Sequence, residues 1–600
     1  MEYSRYCDKY LDENYLHYVV EYRGEFEEQI KNLDYVCGVA ITETLGVVAV
    51  ESGNLEKLRR DVPAIIFLEA RSIYTLQEID PSNAGNINRV KINPYLNLTG
   101  RGILVGLVDS GINYLNQEFI REDDTSRIIS IWDQTIQRKE KISFKYGTVY
   151  NNEEINEAIK VYRNGGDPYS IVNSKDEIDH GTKMAGIIGA RGYNGKMEGI
   201  ARDCDFLVVK LLQSPNYKKI LRENNLPQVP AYSNAEVLAA IEYLRKTAKE
   251  LQRPLIIFLG VGSHDGSHDG YNITARFITS LASREGIVFV AGTGNGGSAE
   301  GHASNLIKNI GETDTVELNI SKPMKSLEFY IWIQKPDKMS LNIIDPAGEE
   351  TGFLNSKIYS VESKDFYLLN THLEVRGYDP ENFTGHQVFI LSFTDIKSGI
   401  WKIRLKGEYI TRGRYDIWLP DKSLLPEGTR FLKVSPYTTL TIPATANKVI
   451  TVSYYDSINN SIVASSGKGF NSNYIINPDL AADGIGILTT SGIDNSIVQV
   501  SGSSAATAIV AGAACLLAQW QIMDKKYSGL YSIKLRSLLI YSAKRERNYV
   551  YPNEDLGYGK LNLLDVFTVI GGRYRNSEEY VEYYINNLFV RYPINYSFRK

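Results

Sequence analysis

The stretch Gly102-Ile103-Leu104-Val105-Gly106-Leu107-Val108-Asp109-Ser110-Gly111 decides how this chain is to be read. It runs without a polar residue from 103 to 108, then stops at a carboxylate, a hydroxyl and a glycine. A strand half-facing water alternates, whereas an unbroken apolar run bounded by turn residues suits a strand covered on both faces, as in a parallel sheet. Similar runs recur at 204–211, 255–259 and 287–291, with helix-like segments at 182–188 and 234–249 between them. Strands alternating with helices predict an α/β fold with a doubly wound parallel sheet.

Upstream, residues 16–70 read as a small α+β unit of approximate order βαββαβ. Strands are expected at 16–22, 35–42, 46–50 and 64–68, with helix-permissive or charged segments at 25–32 and 54–60. From Ser72 to Asn97 the chain turns polar, carries Pro81 and Pro94, and has linker composition. Downstream, between about 313 and 436, the runs become short and alternating, as in Val316-Glu317-Leu318-Asn319-Ile320 and Trp401-Lys402-Ile403-Arg404-Leu405. Turns such as Asp345-Pro346-Ala347-Gly348 separate them, which predicts an antiparallel sandwich or jelly roll. The α/β pattern returns after Thr438, so the β region reads as an insertion within one domain. Trp332, Trp401 and Trp418 in it are expected to pack in its core, with sugar stacking the alternative. Four segments result: 1–77 with a linker to about 95, 96–312, 313–436 and 437–600. The last ends in a Tyr- and Asn-rich tail.

Composition removes several function classes. The 600 residues hold 66 Lys plus Arg against 71 Asp plus Glu, and 43% are hydrophobic. Such a chain can bury a large core, and without a basic block it is not expected to bind nucleic acid. No run of 18 uncharged apolar residues occurs, so no membrane span is expected. Met1 to Asp8 lack the basic and apolar stretches of a secretory signal, which predicts cytoplasmic synthesis. The four cysteines, Cys7, Cys37, Cys204 and Cys515, are scattered, which argues against a disulfide framework or a Cys-rich zinc site.

Three motifs could carry chemistry. Asp109 ends a buried strand, His180 opens a helix-like segment in Asp-His-Gly-Thr, and Ser504 lies in Gly502-Ser503-Ser504-Ala505-Ala506-Thr507 before a small-residue helix. A serine hydroxyl needs an imidazole to take its proton, and the imidazole needs a carboxylate to fix its tautomer. Strand carboxyl ends and helix N-termini are where an α/β sheet can gather such groups and aim N–H donors at an oxyanion. Singly, each motif reads as a turn, a helix start or a loop; in this order and at these junctions they read together. The repeat Ser263-His264-Asp265-Gly266-Ser267-His268-Asp269-Gly270 contains metal-ligand residue types, but two glycines in eight residues favour a loop. Gly192-Tyr193-Asn194-Gly195-Lys196-Met197 lacks the Ser or Thr of a phosphate loop. No metal and no cofactor are expected.

With its motifs in the order Asp109, His180, Ser504, the chain resembles the subtilisin-type serine proteases, the subtilases. Ala291-Gly292-Thr293-Gly294-Asn295-Gly296 resembles the segment whose Asn donates to the oxyanion, which implies that role for Asn295. The segments 438–452 and Pro478-Asp479-Leu480-Ala481-Ala482-Asp483-Gly484 resemble the family's approach to the serine. The likeness covers about 95–310 and 436–570. Leu98-Thr99-Gly100-Arg101-Gly102, Ile131-Trp132-Asp133-Gln134-Thr135, Ser267-His268-Asp269-Gly270 and the β insertion are similar to the clostridial, germination-specific branch found in spores. That resemblance implies a subtilisin-like fold with an N-terminal ferredoxin-like prodomain and an inserted all-β jelly-roll domain. It implies a serine endopeptidase whose partners are its own prodomain and a protein substrate, the zymogen of a spore-cortex hydrolase. Self-cleavage is then expected near Tyr74-Thr75-Leu76-Gln77-Glu78, and the protein is expected in the spore. Some members have lost triad residues and act as sensors, so a catalytically silent signalling protein is the alternative. Asp179, Ser503, Ala508 and Asp483 depart from the family's usual Gly, Thr, Pro and Pro. A second carboxylate at 179 is expected to weaken His180 as a base.

Overall fold

The computed structural model describes residues 7–69, 72–76, 87–91, 93, 96–137, 146–193, 195–493, 495–523 and 529–572. The predicted cleavage region is therefore only partly covered, since Gln77 and Glu78 lie outside the described residues, as does the tail from Arg573.

An N-terminal module is built in the order Tyr15–Tyr22, Phe26–Ile30, Val36–Ala40, Leu45–Glu51, Leu55–Asp61 and Ile65–Glu69. Its first and third strands pair along most of their length, and the whole sheet is antiparallel with the strands in spatial order 4-1-3-2. That order is the split βαβ arrangement of ferredoxin-like units. One sheet face is closed by the two short helices, with Phe26, Ile30 and Leu58 buried beneath them. The other face lies on the next domain, where Val19, Val47 and Ala49 share a core with the helix Asn234–Glu250.

The central sheet has nine strands. Seven neighbours are parallel, in the order Leu480–Asp483, Ile450–Asp456, Ile287–Gly292, Leu255–Leu259, Leu104–Asp109, Asp205–Lys210 and Ile128–Asp133. The strand Leu104–Asp109, buried at every residue, lies in the middle. Helices His180–Gly189 and Ser503–Ala518 cover one face, and Asn234–Glu250 and Ile273–Ala282 the other. The helix Asn234–Glu250 packs closely on this strand at Gly106, where a Cβ would lie 2.9 Å from Leu244 Cδ1. The apolar helical stretch Ser503–Ile522 is long enough to cross a membrane, but 94% of its apolar window is buried inside this fold.

An all-β domain interrupts the sheet between Ile287–Gly292 and Ile450–Asp456. It has a six-stranded and a four-stranded antiparallel sheet facing each other across Phe329, Leu341, Phe389 and Trp401. Its sheet begins at His302–Leu306, earlier than the alternating pattern from 313 indicated. Pairing with Arg414–Trp418 recruits this segment, a long-range partner invisible to local patterning. Trp332, Trp401 and Trp418 are all buried, at 8%, 1% and 3% exposure, so packing is their use.

Two readings need correcting. Cys7 and Cys37 form a disulfide, with Cα atoms 6.5 Å apart, because the first turn of the chain folds back onto the strand Val36–Ala40. Spacing alone could not show that contact. The polar stretch 72–97 is also more than linker: Ile73–Leu76 is a strand and Ile87–Lys91 a helix.

Candidate active site

Asp109 sits at the carboxyl end of the central strand and is fully buried. His180 is the first residue of the helix His180–Gly189, and its Nδ1 lies 2.7 Å and 2.9 Å from the two Asp109 carboxylate oxygens. Burial raises the Asp109 carboxyl above its ordinary value, while the His180 ring and the Ser110 N–H, 2.6 Å away, oppose that rise. A carboxylate held this way accepts the Nδ1 proton and leaves Nε2 as the basic nitrogen. Glycine lets the two elements close. A Cβ on Gly181 would lie 2.1 Å from the Gly111 carbonyl oxygen, and one on Gly260 would lie 1.9 Å from Asp109 Oδ2.

A residue that motif reading passed over ties this corner together. Asp176 accepts hydrogen bonds from Ser110 Oγ at 2.7 Å, Asp179 N at 2.9 Å, Thr182 N at 2.9 Å and Thr182 Oγ1 at 2.7 Å. The N-cap residue Asp179 makes no side-chain cap of its own, so Asp176 satisfies the helix's first donors from outside. The same carboxylate thereby pins the loop after Asp109 to the turn that presents His180. An acidic residue just ahead of a helix start was the available signal.

Asp179 itself has partners of its own. It adopts the left-handed conformation at φ 66°, which explains why glycine suits the position and why Asp tolerates it. Its carboxylate accepts from Gly492 N at 2.6 Å and pairs with Lys183 Nζ at 3.2 Å. Lys183 and the Gly492 N–H thereby offset part of the negative charge that Asp179 brings next to His180. Asp483 ends the strand Leu480–Asp483 and is buried there, next to Tyr455, outside the Asp109–His180 contact.

Ser504 is the second residue of Ser503–Ala518, a helix that packs against His180–Gly189. Gly502, at φ 116°, precedes it where the chain turns into the helix. Ser503 links this helix to the Asn295 loop. Its Oγ accepts from Gly294 N at 3.0 Å, and its N–H donates to Asn295 Oδ1 at 3.3 Å. With its oxygen engaged there, the Asn295 amide has Nδ2 as its donor end. Ser503 thus does more than preserve a hydroxyl.

The segment Ile73–Leu76 lies between two strands of the central domain. It pairs antiparallel with Ala231–Ser233 on one side and with Val261–Gly262 on the other. Val261–Gly262 follows directly on Gly260, which touches Asp109. An extended backbone sandwiched between strands beside the Asp109–His180 pair is how a peptide is held by strand addition. The Ser263–Gly270 repeat is spent on packing: His268 stacks on Trp418, and Asp269 accepts from Ser267 and pairs with His386 of the β domain.

The family model described as the subtilase family matches residues 100–317 and 429–559. Its interruption falls within the inserted β domain. The solved structure of the CspB protease of Clostridium perfringens is 30% identical and covers 81% of this chain and 96% of its own, with a TM-score of 0.71. The prenylagaramide maturation protease PagA (14% identity, 81% and 98% coverage) and MycP1 of Mycobacterium smegmatis (14%, 83% and 89%) superpose with TM-scores of 0.39 and 0.36. No curated protein matches the chain.

Proposed function

This chain belongs to the subtilase family, and on that premise we propose that it is a serine endopeptidase that frees its own N-terminal module and then activates a protein zymogen by limited proteolysis. Ser504 Oγ attacks the scissile carbonyl. His180 Nε2 takes the hydroxyl proton and later returns it to the leaving amine, while Asp109 holds Nδ1–H and stabilises the imidazolium. Asn295 Nδ2 and the Ser504 N–H receive the oxyanion; removing one such donor typically costs about 10²- to 10³-fold in kcat. A water that gives its proton to the same Nε2 then attacks the acyl-enzyme carbonyl, and the proton passes to Ser504 Oγ as the ester bond breaks and the acid product leaves. The observation that carries this reading is the buried Asp109–His180 contact, set beside the helix that presents Ser504.

Self-processing is supported by the strand Ile73–Leu76, which runs antiparallel between Ala231–Ser233 and Val261–Gly262, next to Gly260 and Asp109. The bond cut then lies within 74–78, and the module acts as a prodomain. The zymogen of a spore-cortex hydrolase as substrate, and the spore as the setting, rest on the likeness to the clostridial germination proteases. The test is intact mass and N-terminal sequencing of wild type beside Ser504→Ala, with a fluorophosphonate probe on both. A shortened, labelled wild type next to a full-length, unlabelled variant is expected. A wild type that neither labels nor cuts a peptide panel would replace this reading with a silent signalling protein.

A further inference from the structure

Four aromatic rings form a column that starts in the inserted β domain and ends against the loop of Asn295. Trp418, the last residue of the strand Arg414–Trp418, stacks with two imidazoles. The ring centroid of His302 lies 4.8 Å away and that of His268 4.1 Å away, with planes within 7° and 13° of parallel. His264 continues the stack, 5.8 Å beyond His268. It rests directly on Gly296, the residue after Asn295, where a Cβ would come within 2.7 Å of His264 Nε2. The far end is clamped: His302 Nε2 meets Asp416 Oδ1 at 3.1 Å, and Arg414 forks onto the same carboxylate at 2.9 Å and 3.0 Å.

The indole is tied in a second way. Trp418 Nε1 donates to the Thr438 carbonyl at 3.0 Å, and Arg414 Nη2 donates to Thr438 Oγ1 at 3.1 Å. Three residues on, Thr441 N donates to the Thr293 carbonyl at 3.0 Å. The run Thr293-Gly294-Asn295-Gly296-Gly297 is therefore approached by Trp418 along two routes, through the stacked imidazoles and through the Thr438–Thr441 segment. Three glycines in five residues give that run wide conformational freedom, and an oxyanion donor works only when its position is fixed before reaction. Burial holds His268 near pKa 3, so that ring stacks on Trp418 uncharged at neutral pH.

We propose that Trp418 is a positioning residue for Asn295, through which the inserted domain sets the oxyanion geometry of the catalytic one. The proposal rests on the protease reading above. Its test is hydrolysis of a fluorogenic peptide by wild type, Trp418→Ala, Trp418→Phe and Trp401→Phe. Active sites are counted by fluorophosphonate titration, so that kcat is expressed per working site. Trp418→Ala should lower per-site kcat roughly ten- to a hundredfold with KM nearly unchanged, the loss expected when a transition-state donor is misplaced by about an ångström. Trp418→Phe, which keeps the stacked faces, should recover most of it. Trp401→Phe, in the centre of the β sandwich, should lower stability and leave per-site kcat alone. A purely structural role would reduce the number of titratable sites without changing the rate at each. Wild-type per-site kcat in Trp418→Ala, or an equal loss in Trp401→Phe, would overturn the proposal. Should Trp418→Ala fail to fold, His268→Ala against His268→Phe makes the same comparison. A wild type that neither labels nor turns over overturns the Ser504 reading, and this inference with it.

Discussion

Replacing Asp176 by Asn tests whether one carboxylate outside the catalytic motifs governs the site. Its four hydrogen bonds go to two backbone N–H groups and two hydroxyls, one of each per carboxylate oxygen. In either orientation an Asn puts its NH2 against one backbone donor and one hydroxyl. The hydroxyl can rotate and accept; the backbone N–H cannot, and a buried donor left unpaired costs about 1–3 kcal/mol. The pair on the remaining oxygen then bonds a neutral acceptor, losing roughly half the strength of each charge-assisted bond. Because Asp176 is only half-buried, the total is about 2–4 kcal/mol. The direct Asp109–His180 contact survives, so kcat/KM should fall about ten- to a hundredfold rather than to background. The assay is kcat/KM on a peptide substrate together with urea unfolding of Asp176→Asn in the Ser504→Ala background, where self-digestion cannot intrude. Unchanged kcat/KM would refute the reasoning even if stability fell, since the carboxylate would then be holding the helix without holding His180.

Other perturbations reach the same corner. Asp109→Asn should keep the fold and drop kcat by about 10⁴-fold, because an amide offers no fixed acceptor for Nδ1–H. Gly181→Ala should abolish turnover in the same assay, since its Cβ would sit 2.1 Å from the Gly111 carbonyl oxygen and push the His180 helix off Asp109. Acid should loosen the fold through His268. Its folded pKa of about 3 lies below the ordinary histidine value of about 6.5, so the unfolded chain binds the proton first and stability falls as pH drops through that window. Between pH 6.5 and 4.5 the loss is about 2 kcal/mol, the slope rising to roughly 1.4 kcal/mol per pH unit once the unfolded histidine is fully protonated. Urea midpoints at the two pH values should show a smaller drop for His268→Phe than for wild type; equal drops would remove His268 as the cause.

Much of this was legible in the chain and some was not, for physical reasons. The strand Leu104–Asp109 announced itself because a strand buried on both faces has no polar residues to spare, and His180 because a helix start is a local event. Alternation in 313–436 betrayed a two-sheet domain, yet the pairing of His302–Leu306 with Arg414–Trp418 spans more than a hundred residues and left no local mark. Ile73–Leu76 looked like linker because its sheet partners are Ala231–Ser233 and Val261–Gly262, contributed by another domain. Cys7 and Cys37 meet only once the module has folded. Asp176 resembled an ordinary loop acid until the structure supplied Ser110, and the partners of Asp179, Lys183 and Gly492, left no mark in its local motif.

The inserted domain also bears on how the chain is assembled. Its first strand begins at His302, and Ser435 N donates to the His302 carbonyl at 2.8 Å, so the polypeptide departs and comes back at one doorway. Left as loose coil, a span of that length would charge the pairing of Ile450–Asp456 with Ile287–Gly292 about 4 kcal/mol in closure entropy. Folded first, the domain shrinks that loop to the few residues flanking the doorway. During synthesis Asp109, His180 and Asn295 leave the ribosome well before Ser504, and the β domain is complete before the serine helix arrives. The interruption thus works as a hinge pin already in place, against which the last part of the sheet is hung.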